Sequence, residues 1–248
     1  MSKKYNKNEI LTIVKATLSK PLTAYRMEVY NYTGETKDTK EKYTEVIAGW
    51  LLENEDFKRT GYIPTLTRKS SYRTGTHDGN ATTGITSEDP PRKEERIALD
   101  LFGKNLQFIG DIKDYQTPLS NDVYKNAGEL DLLGYNKESR QLNIIELKGP
   151  ESIETLLRCI MEVHTYWSVV DKDKLRRDFN LSENANIRKA ILVFEGTTPY
   201  DDFMDSSQDK ITTLMKKLEI DLYVLCGSKN YSVAKAYLHN EDYVELGG

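Results

Sequence analysis

Two apolar segments of the sequence carry charged residues whose types and spacing could support hydrolytic chemistry. The first, 128–133 (GELDLL), contains Asp131, and the second, 142–148 (LNIIELK), contains Glu146 and Lys148. A charged group buried in a sheet costs several kcal/mol unless it is paired with an opposite charge or bound to a metal ion. Because side chains two residues apart on a strand share a face, we expect Glu146 and Lys148 to lie side by side.

The spacing of the two segments predicts which of these residues meet. A hairpin centred on residues 138 and 139 sets Asp131 opposite Glu146, because both lie the same number of residues from that centre. Directly opposed residues of paired strands have Cβ atoms about 4.5–5.5 Å apart. Two carboxylates at that distance repel unless they share a proton or a divalent cation, and oxygen ligands suit Mg²⁺ or Mn²⁺. Lys148 beside them could stabilise or deprotonate an attacking water.

At these residues the sequence resembles the PD-(D/E)XK nuclease superfamily, which has the restriction-endonuclease-like fold. Asp131 matches the first acidic position, and Glu146-Leu147-Lys148 matches the E-x-K motif. The segment GELDLL is also similar to the resolvase-like branch of that superfamily. The helix after the motif often carries Gln-x-x-x-Tyr in these enzymes, and this chain has Glu162-x-x-x-Tyr166. The resemblance covers about residues 90–226.

The resemblance implies a set of site residues and an activity. Asp131, Glu146 and Lys148 would be catalytic, and Asp131, Glu146 and Leu147 would hold Mg²⁺ or Mn²⁺. Glu94, at the start of an earlier helix, would join the catalytic residues. Glu95 is the alternative, and either could be a solvated first-turn residue favoured by the helix dipole. The implied activity is metal-dependent hydrolysis of phosphodiester bonds in nucleic acid, in the first instance DNA, by an endonuclease that could act as a homodimer.

Two alternatives to this interpretation stay open at the level of sequence. The chain could be a catalytically inactive member of the same fold that binds nucleic acid or a protein partner, because a fold does not fix a function. The motif could also be incidental, with Glu146 and Lys148 forming a surface ion pair on an edge strand.

The elements that must position these residues indicate an α/β fold. We expect a restriction-endonuclease-like αβββαβ core, in which a mixed central sheet is flanked by helices. The predicted order is helix 93–102, strands 106–112, 129–133 and 142–147, helix 153–170, strand 190–194, helix 211–218 and strand 222–226.

Composition divides the chain into three parts. Residues 1–68, with predicted helices at 8–18 and 38–54 and a strand at 25–32, would form an N-terminal α/β extension or accessory module. Residues 69–90 are almost all Ser, Thr, Gly, Asn, Asp and Pro, which predicts a flexible loop or linker. Residues 91–248 would form the nuclease-like domain.

Charge and cysteine content restrict the class of protein. The 248 residues include 39 Asp and Glu against 35 Lys and Arg, a net charge of −4, which excludes a uniformly basic coat but not a local basic groove. Two cysteines are too few for a disulfide framework or a zinc site. No apolar run approaches the roughly 20 residues that cross a bilayer, so we expect no membrane partner and a cytoplasmic location.

Overall fold

The computed structural model describes residues 4–18, 28–54, 68–73, 93–119 and 128–247. Within these residues, eight strands form one sheet in sequential order. The strands are β1 Asn105–Leu106, β2 Gly110–Pro118, β3 Glu129–Asn136, β4 Gln141–Leu147, β5 Asn186–Phe194, β6 Ile220–Cys226, β7 Ser232–Tyr237 and β8 Glu245–Gly247. The α-helices are α1 Lys7–Leu18, α2 Tyr43–Glu53, α3 Lys93–Leu101, α4 Leu156–Val169, α5 Lys172–Asp178, α6 Thr198–Met204 and α7 Asp209–Lys217.

The sheet is mixed, as predicted. Strands β2, β3 and β4 pair antiparallel, and β4, β5 and β6 pair parallel. The chain passes from β4 to β5 through α4 and α5. Parallel neighbours need such a crossover, and α4 packs against both β4 and β5. The α/β class with a mixed sheet flanked by helices is therefore confirmed.

Two apolar cores lie on opposite faces of the sheet. Along β4, Ile144 belongs to the core that contains α1, α2, α4 and α7, and Ile145 belongs to the core that contains α3. Successive side chains of a strand point to opposite faces of the sheet, so the apolar runs of the central strands contribute to both cores. None of the helices in the described ranges is long and apolar enough to cross a membrane.

The described helices of the predicted N-terminal extension pack into the first of these cores. Ile47 of α2 and Leu214 of α7 are both fully buried in it. The carboxylate of Glu45 accepts hydrogen bonds from the main-chain N–H of Lys210 at 3.2 Å and of Ile211 at 3.0 Å. It therefore satisfies N–H groups in the first turn of α7, which have no partner within the helix.

The strand predicted at 25–32 is wrong over the residues that are described. Residues Glu28–Asn31 form a 3₁₀ helix, and residues 25–27 lie outside the described part of the chain. Asn31 Oδ1 accepts a hydrogen bond from the main-chain N–H of Thr155 at 2.7 Å, and the carbonyl of Tyr30 accepts one from the Thr155 hydroxyl. The segment turns because its polar groups bond to the residue that caps α4, not to a neighbouring strand.

Only the first residues of the predicted loop 69–90 are described. Within 69–73, Tyr72 is fully buried, and its N–H donates to Asp178 Oδ2 at 2.8 Å. Residues 74–90 lie outside the described part of the chain.

A glycine divides the strand predicted at 106–112. The strand β1 ends at Leu106, a turn follows over 107–109, and β2 begins at Gly110 with φ +88°. A Cβ on Gly110 would lie 2.2 Å from the carbonyl oxygen of Tyr135 on β3, so only glycine fits this close approach. The apolar pattern alone therefore could not place this boundary.

Candidate active site

The β3–β4 hairpin has the predicted register. Leu132 pairs with Ile145 and Asn136 pairs with Gln141, so the turn is centred between residues 138 and 139. Asp131 and Glu146 are the next positions along the same register. The main-chain N–H of Leu147 donates to Asp131 Oδ2 at 2.9 Å, which fixes the Asp131 carboxylate at the end of β4.

Glu146 and Lys148 form a buried ion pair in the interior of the sheet. Lys148 Nζ lies 2.7 Å from Glu146 Oε1. Only 2% of Glu146 and 6% of Lys148 is exposed, and β4 lies between β3 and β5. The interpretation of these residues as a surface pair on an edge strand is therefore wrong.

Two further carboxylates lie close to the Lys148 ammonium. Glu154, in the lead-in to α4, lies 2.7 Å from Lys148 Nζ, and Glu162, on α4, lies 3.8 Å from it. The Tyr166 hydroxyl donates to Glu162 Oε1 at 3.1 Å, and Arg158 Nε lies 3.5 Å from Glu162 Oε2. The Glu162-x-x-x-Tyr166 pair of the sequence thus faces this site.

Sequence reasoning missed Glu154 and Arg158. Arg158, Glu162 and Tyr166 are spaced four residues apart, so they share one face of α4, and that spacing could have identified the arginine. Glu154 had no such signal, because the predicted helix 153–170 included it, whereas α4 begins at Leu156 after its N-cap, Thr155.

Glu94 approaches the site from α3, on the other side of the β4 terminus. Its Oε1 accepts a hydrogen bond from the main-chain N–H of Gly149 at 3.0 Å, directly after Lys148. A Cβ on Gly149 would lie 3.2 Å from Glu94 Cγ, so the missing side chain gives this carboxylate room. The structure therefore brings Glu94, Asp131, Glu146 and Lys148 together at the end of β4.

The site holds more carboxylates than cations. In the part of the chain that the structure describes, five carboxylates, those of Asp131, Glu146, Glu94, Glu154 and Glu162, lie around two cations, Lys148 and Arg158. Burial raises the pKa of Asp131 to about 7; Lys148 and the Leu147 N–H oppose the rise, and the charges of Glu162 and Glu94 add to it.

The pKa values of Glu146 and Lys148 show the same excess of carboxylates over cations. Burial raises the pKa of Glu146 well above its usual range, and the charges of Asp131 and Glu162 raise it further. Burial alone would lower the pKa of Lys148, but the surrounding carboxylates, Glu146 first, raise it well above its usual range. The Lys148 ammonium therefore stays charged, and it does not neutralise the whole cluster.

The donor atoms suit a hard divalent ion, although their present arrangement is not a finished metal site. Among the described residues, no three Asp, Glu, His or Cys side chains are placed as a ready-made ligand set. The available donors are the carboxylates of Asp131 and Glu146 and the main-chain carbonyl of Leu147, whose side chain is buried in the apolar core. All are oxygen atoms, as Mg²⁺ and Mn²⁺ require, and added positive charge would relieve the carboxylate excess.

Comparisons with family models, with curated proteins and with solved structures find no match for this chain.

Proposed function

We propose that this protein is a divalent-metal-dependent nuclease that hydrolyses phosphodiester bonds in nucleic acid, with DNA as its first expected substrate. One observation carries the proposal. Asp131 and Glu146 lie on neighbouring strands beside Lys148, in a buried cluster whose carboxylates outnumber its cations. A structural ion pair needs no such excess of negative charge, whereas a site for a divalent cation does.

The order of the elements supports the same proposal. Apart from the two-residue strand β1 and the short helix α5, the chain from α3 to β5 follows the αβββαβ order that the sequence resemblance implies. Strand β5 pairs parallel with β4, which carries Glu146 and ends directly before Lys148. We therefore propose a restriction-endonuclease-like core over this part of the chain.

Each residue has a distinct role in this proposal. Asp131, Glu146 and the carbonyl of Leu147 would hold Mg²⁺ or Mn²⁺, which supplies an activated water and stabilises charge on the scissile phosphate. Lys148, which pairs with Glu146 and Glu154, would donate hydrogen bonds to the negative charge that develops on the phosphate. Glu162, held by Tyr166, would keep Lys148 oriented.

A catalytically inactive module of the same fold, which binds nucleic acid or a protein, is the second candidate. The specific observation in its favour is that Lys148 is already paired with Glu146 and Glu154 at 2.7 Å and is almost fully buried. If that pairing persists when Mg²⁺ is added, the cluster is structural.

Cleavage assays with matched variants test the proposal. Plasmid DNA and single-stranded DNA are incubated with the protein and Mg²⁺, Mn²⁺ or EDTA, and Mn²⁺ binding is measured separately by calorimetry. We expect metal-dependent cleavage by the parent, loss of both Mn²⁺ binding and cleavage in Glu146→Gln, and retained Mn²⁺ binding with cleavage reduced by about 10²–10³ in Lys148→Ala.

The control is Glu138→Gln, in the exposed β3–β4 turn, purified in parallel to expose any contaminating nuclease. Cleavage that survives Glu146→Gln at the level of Glu138→Gln would refute the catalytic assignment. Nucleic-acid binding without cleavage under any metal would support the inactive module.

A further inference from the structure

A groove with a cationic and aromatic lining begins directly beside the candidate active site. We call it the basic groove; its cationic and aromatic lining is Lys93, Arg96, Lys104, Lys229, Tyr231 and Phe194. Its volume is about 960 Å³. Pro150 also lines it and directly follows Gly149, whose N–H bonds to Glu94. A ligand in the groove would therefore extend past the end of β4, where Glu146 and Lys148 lie.

The charge of the basic groove is opposite to that of the chain as a whole. Among the described residues that line it, four side chains are cationic and only Asp100 is anionic, whereas the whole protein carries a net charge of −4. One of the four cations, Lys93, pairs with Glu151 outside the groove lining. In the described ranges, the side chains of Arg96 and Lys229 are exposed and form no ion pair. Cations that no carboxylate neutralises are available to phosphate groups.

One face of α3 supplies part of this lining. Lys93, Arg96 and Asp100 follow one another at helical spacing, and Lys104 follows one turn beyond the end of the helix. Glu94 lies on the adjacent stripe of the same helix and bonds to Gly149. The helix therefore places the carboxylate of Glu94 at the candidate active site and the cationic side chains of Lys93 and Arg96 at the groove.

The other wall is the turn between β6 and β7, which is held in place. Gly227 has φ +97°, and a Cβ there would lie 2.4 Å from the carbonyl oxygen of Asn230, so the turn needs glycine. Lys104 Nζ donates to the carbonyl of Lys229 at 3.0 Å, which ties the turn to the residues after α3. Both walls are thus connected before any ligand binds.

Tyr231 gives the groove an aromatic platform. Its ring is partly exposed and packs edge-on against Phe194, with ring centroids 6.2 Å apart, while Lys104 Nζ lies 5.6 Å from the ring centroid. An aromatic ring bordered by lysine and arginine is the arrangement on which an unpaired base stacks while the cations contact its backbone. Bases within a duplex are already stacked on their neighbours and cannot use this ring.

We propose that the basic groove binds a single-stranded segment of nucleic acid, with one unpaired base stacked on Tyr231 and the backbone phosphates along Arg96 and Lys229. This inference rests on the proposed function and specifies its substrate as nucleic acid with an unpaired segment next to the scissile bond. An acidic peptide would satisfy the cations but would leave the Tyr231 ring without a stacking partner.

Binding in EDTA separates this inference from catalysis. Fluorescence anisotropy measures the affinity of the full chain for a fluorescein-labelled oligothymidylate and for a duplex of the same length. We expect the single strand to bind more tightly than the duplex. Tyr231→Ala should weaken single-strand binding by about 5- to 150-fold, the range of one base–aromatic stack, and Tyr231→Phe should keep the parent affinity.

Salt dependence tests the phosphate contacts. Arg96→Ala and Lys229→Ala should each lower the slope of log K against log salt by about 0.7, the value for one phosphate contact on a single strand. The matched control is Lys37→Ala, an exposed lysine whose N–H bonds to Tyr5, ahead of α1 and outside the groove. It should leave both affinity and slope unchanged.

The outcomes distinguish failure of this inference from failure of the proposed function. Three results would each overturn the groove assignment, even if the protein cleaves DNA. They are equal affinity for duplex and single strand, unchanged affinity in Tyr231→Ala, and displacement of the labelled single strand by polyglutamate as readily as by unlabelled single-stranded DNA. Groove-dependent single-strand binding by a protein that cleaves nothing with Mg²⁺ or Mn²⁺ would support the groove and refute the nuclease.

Discussion

Replacing Asp131 by asparagine should stabilise the metal-free protein at alkaline pH, in contrast to most substitutions of a buried polar residue. The reason is burial, which together with the charges of Glu162 and Glu94 raises the pKa of Asp131 from 3.8 to about 7. A carboxyl group with a raised pKa in the folded state contributes stability that is fully present below pH 3.8 and is lost as the pH rises through 7. Asparagine keeps an oxygen that accepts from the Leu147 N–H but cannot ionise.

The size of the effect follows from that pKa difference. At about 1.36 kcal/mol per pH unit, ionising Asp131 in the folded protein costs up to about 4 kcal/mol at pH 8. Because the Asp131 side chain is partly exposed, this value is an upper limit. At pH 4 the cost falls below about 1 kcal/mol, since the folded state then holds the proton. The free energy of unfolding of Asp131→Asn should therefore exceed that of the parent at pH 8 and nearly equal it at pH 4.

Urea unfolding followed by far-ultraviolet circular dichroism, in EDTA at pH 4, 6 and 8, measures this difference directly. Adding Mn²⁺ should stabilise the parent at pH 8, by about 2.7 kcal/mol at a hundred times the dissociation constant. Asp131→Asn should gain much less, because it has lost one of the two carboxylate ligands. Asp131→Asn should thus be more stable than the parent in EDTA but gain less stability from Mn²⁺. A general change in stability cannot produce both results.

Glu41 provides a control of opposite sign. Hydrogen bonds from the Lys7 ammonium and the Thr39 hydroxyl hold its pKa at about 2, so its contribution is present above pH 4.5 and is lost as the pH falls through 2. Glu41→Gln should therefore lower the free energy of unfolding at pH 8. If Glu41→Gln behaves this way and Asp131→Asn is no more stable than the parent at pH 8 in EDTA, the pKa of Asp131 is not raised in the folded protein.

Two further predictions concern a charge and a glycine. Lys148→Met should lower the free energy of unfolding in EDTA by about 3–5 kcal/mol, because it leaves Glu146 buried without a counter-charge. In a thermal unfolding assay, Mn²⁺ should restore part of this loss. An unchanged melting temperature in Lys148→Met would contradict the prediction. Gly110→Ala should cost more in urea unfolding than Gly103→Ala, since both glycines have positive φ but only a Cβ at Gly110 collides with the Tyr135 carbonyl. Equal losses would show that β2 can shift away from β3.

The hairpin register could be predicted from sequence because a short turn fixes it. Leu132 pairs with Ile145 for the reason that four residues, 137–140, close the turn between β3 and β4. Any other register would move the apolar residues of β4 to the wrong faces of the sheet. The same argument identified the shared face of Glu146 and Lys148, which the 2.7 Å ion pair demonstrates.

The place of Glu154 in the site was beyond such reasoning because it depends on tertiary packing. Glu154 precedes α4, and its approach to Lys148 depends on where Thr155 begins the helix. Thr155 is in turn held by Tyr30 and Asn31, more than a hundred residues earlier in the chain. The strand predicted at 25–32 failed for the same reason, since that contact with α4 determines its conformation and no local pattern reports it.

The basic groove could not be predicted from the net charge, because the net charge sums acidic and basic residues that the fold places in different regions of the surface. The chain carries −4, yet within its described residues a cluster of five carboxylates lies at the end of β4 and the cations Arg96 and Lys229 line the neighbouring groove. Glu94 and Arg96, two residues apart on α3, belong to different sides of this division. Because one short helix carries both groups, a change in its position would alter the carboxylate cluster and the basic groove together. A polyanion drawn to the groove would thus reach the carboxylates only where a divalent cation offsets their repulsion, which couples metal binding to substrate approach.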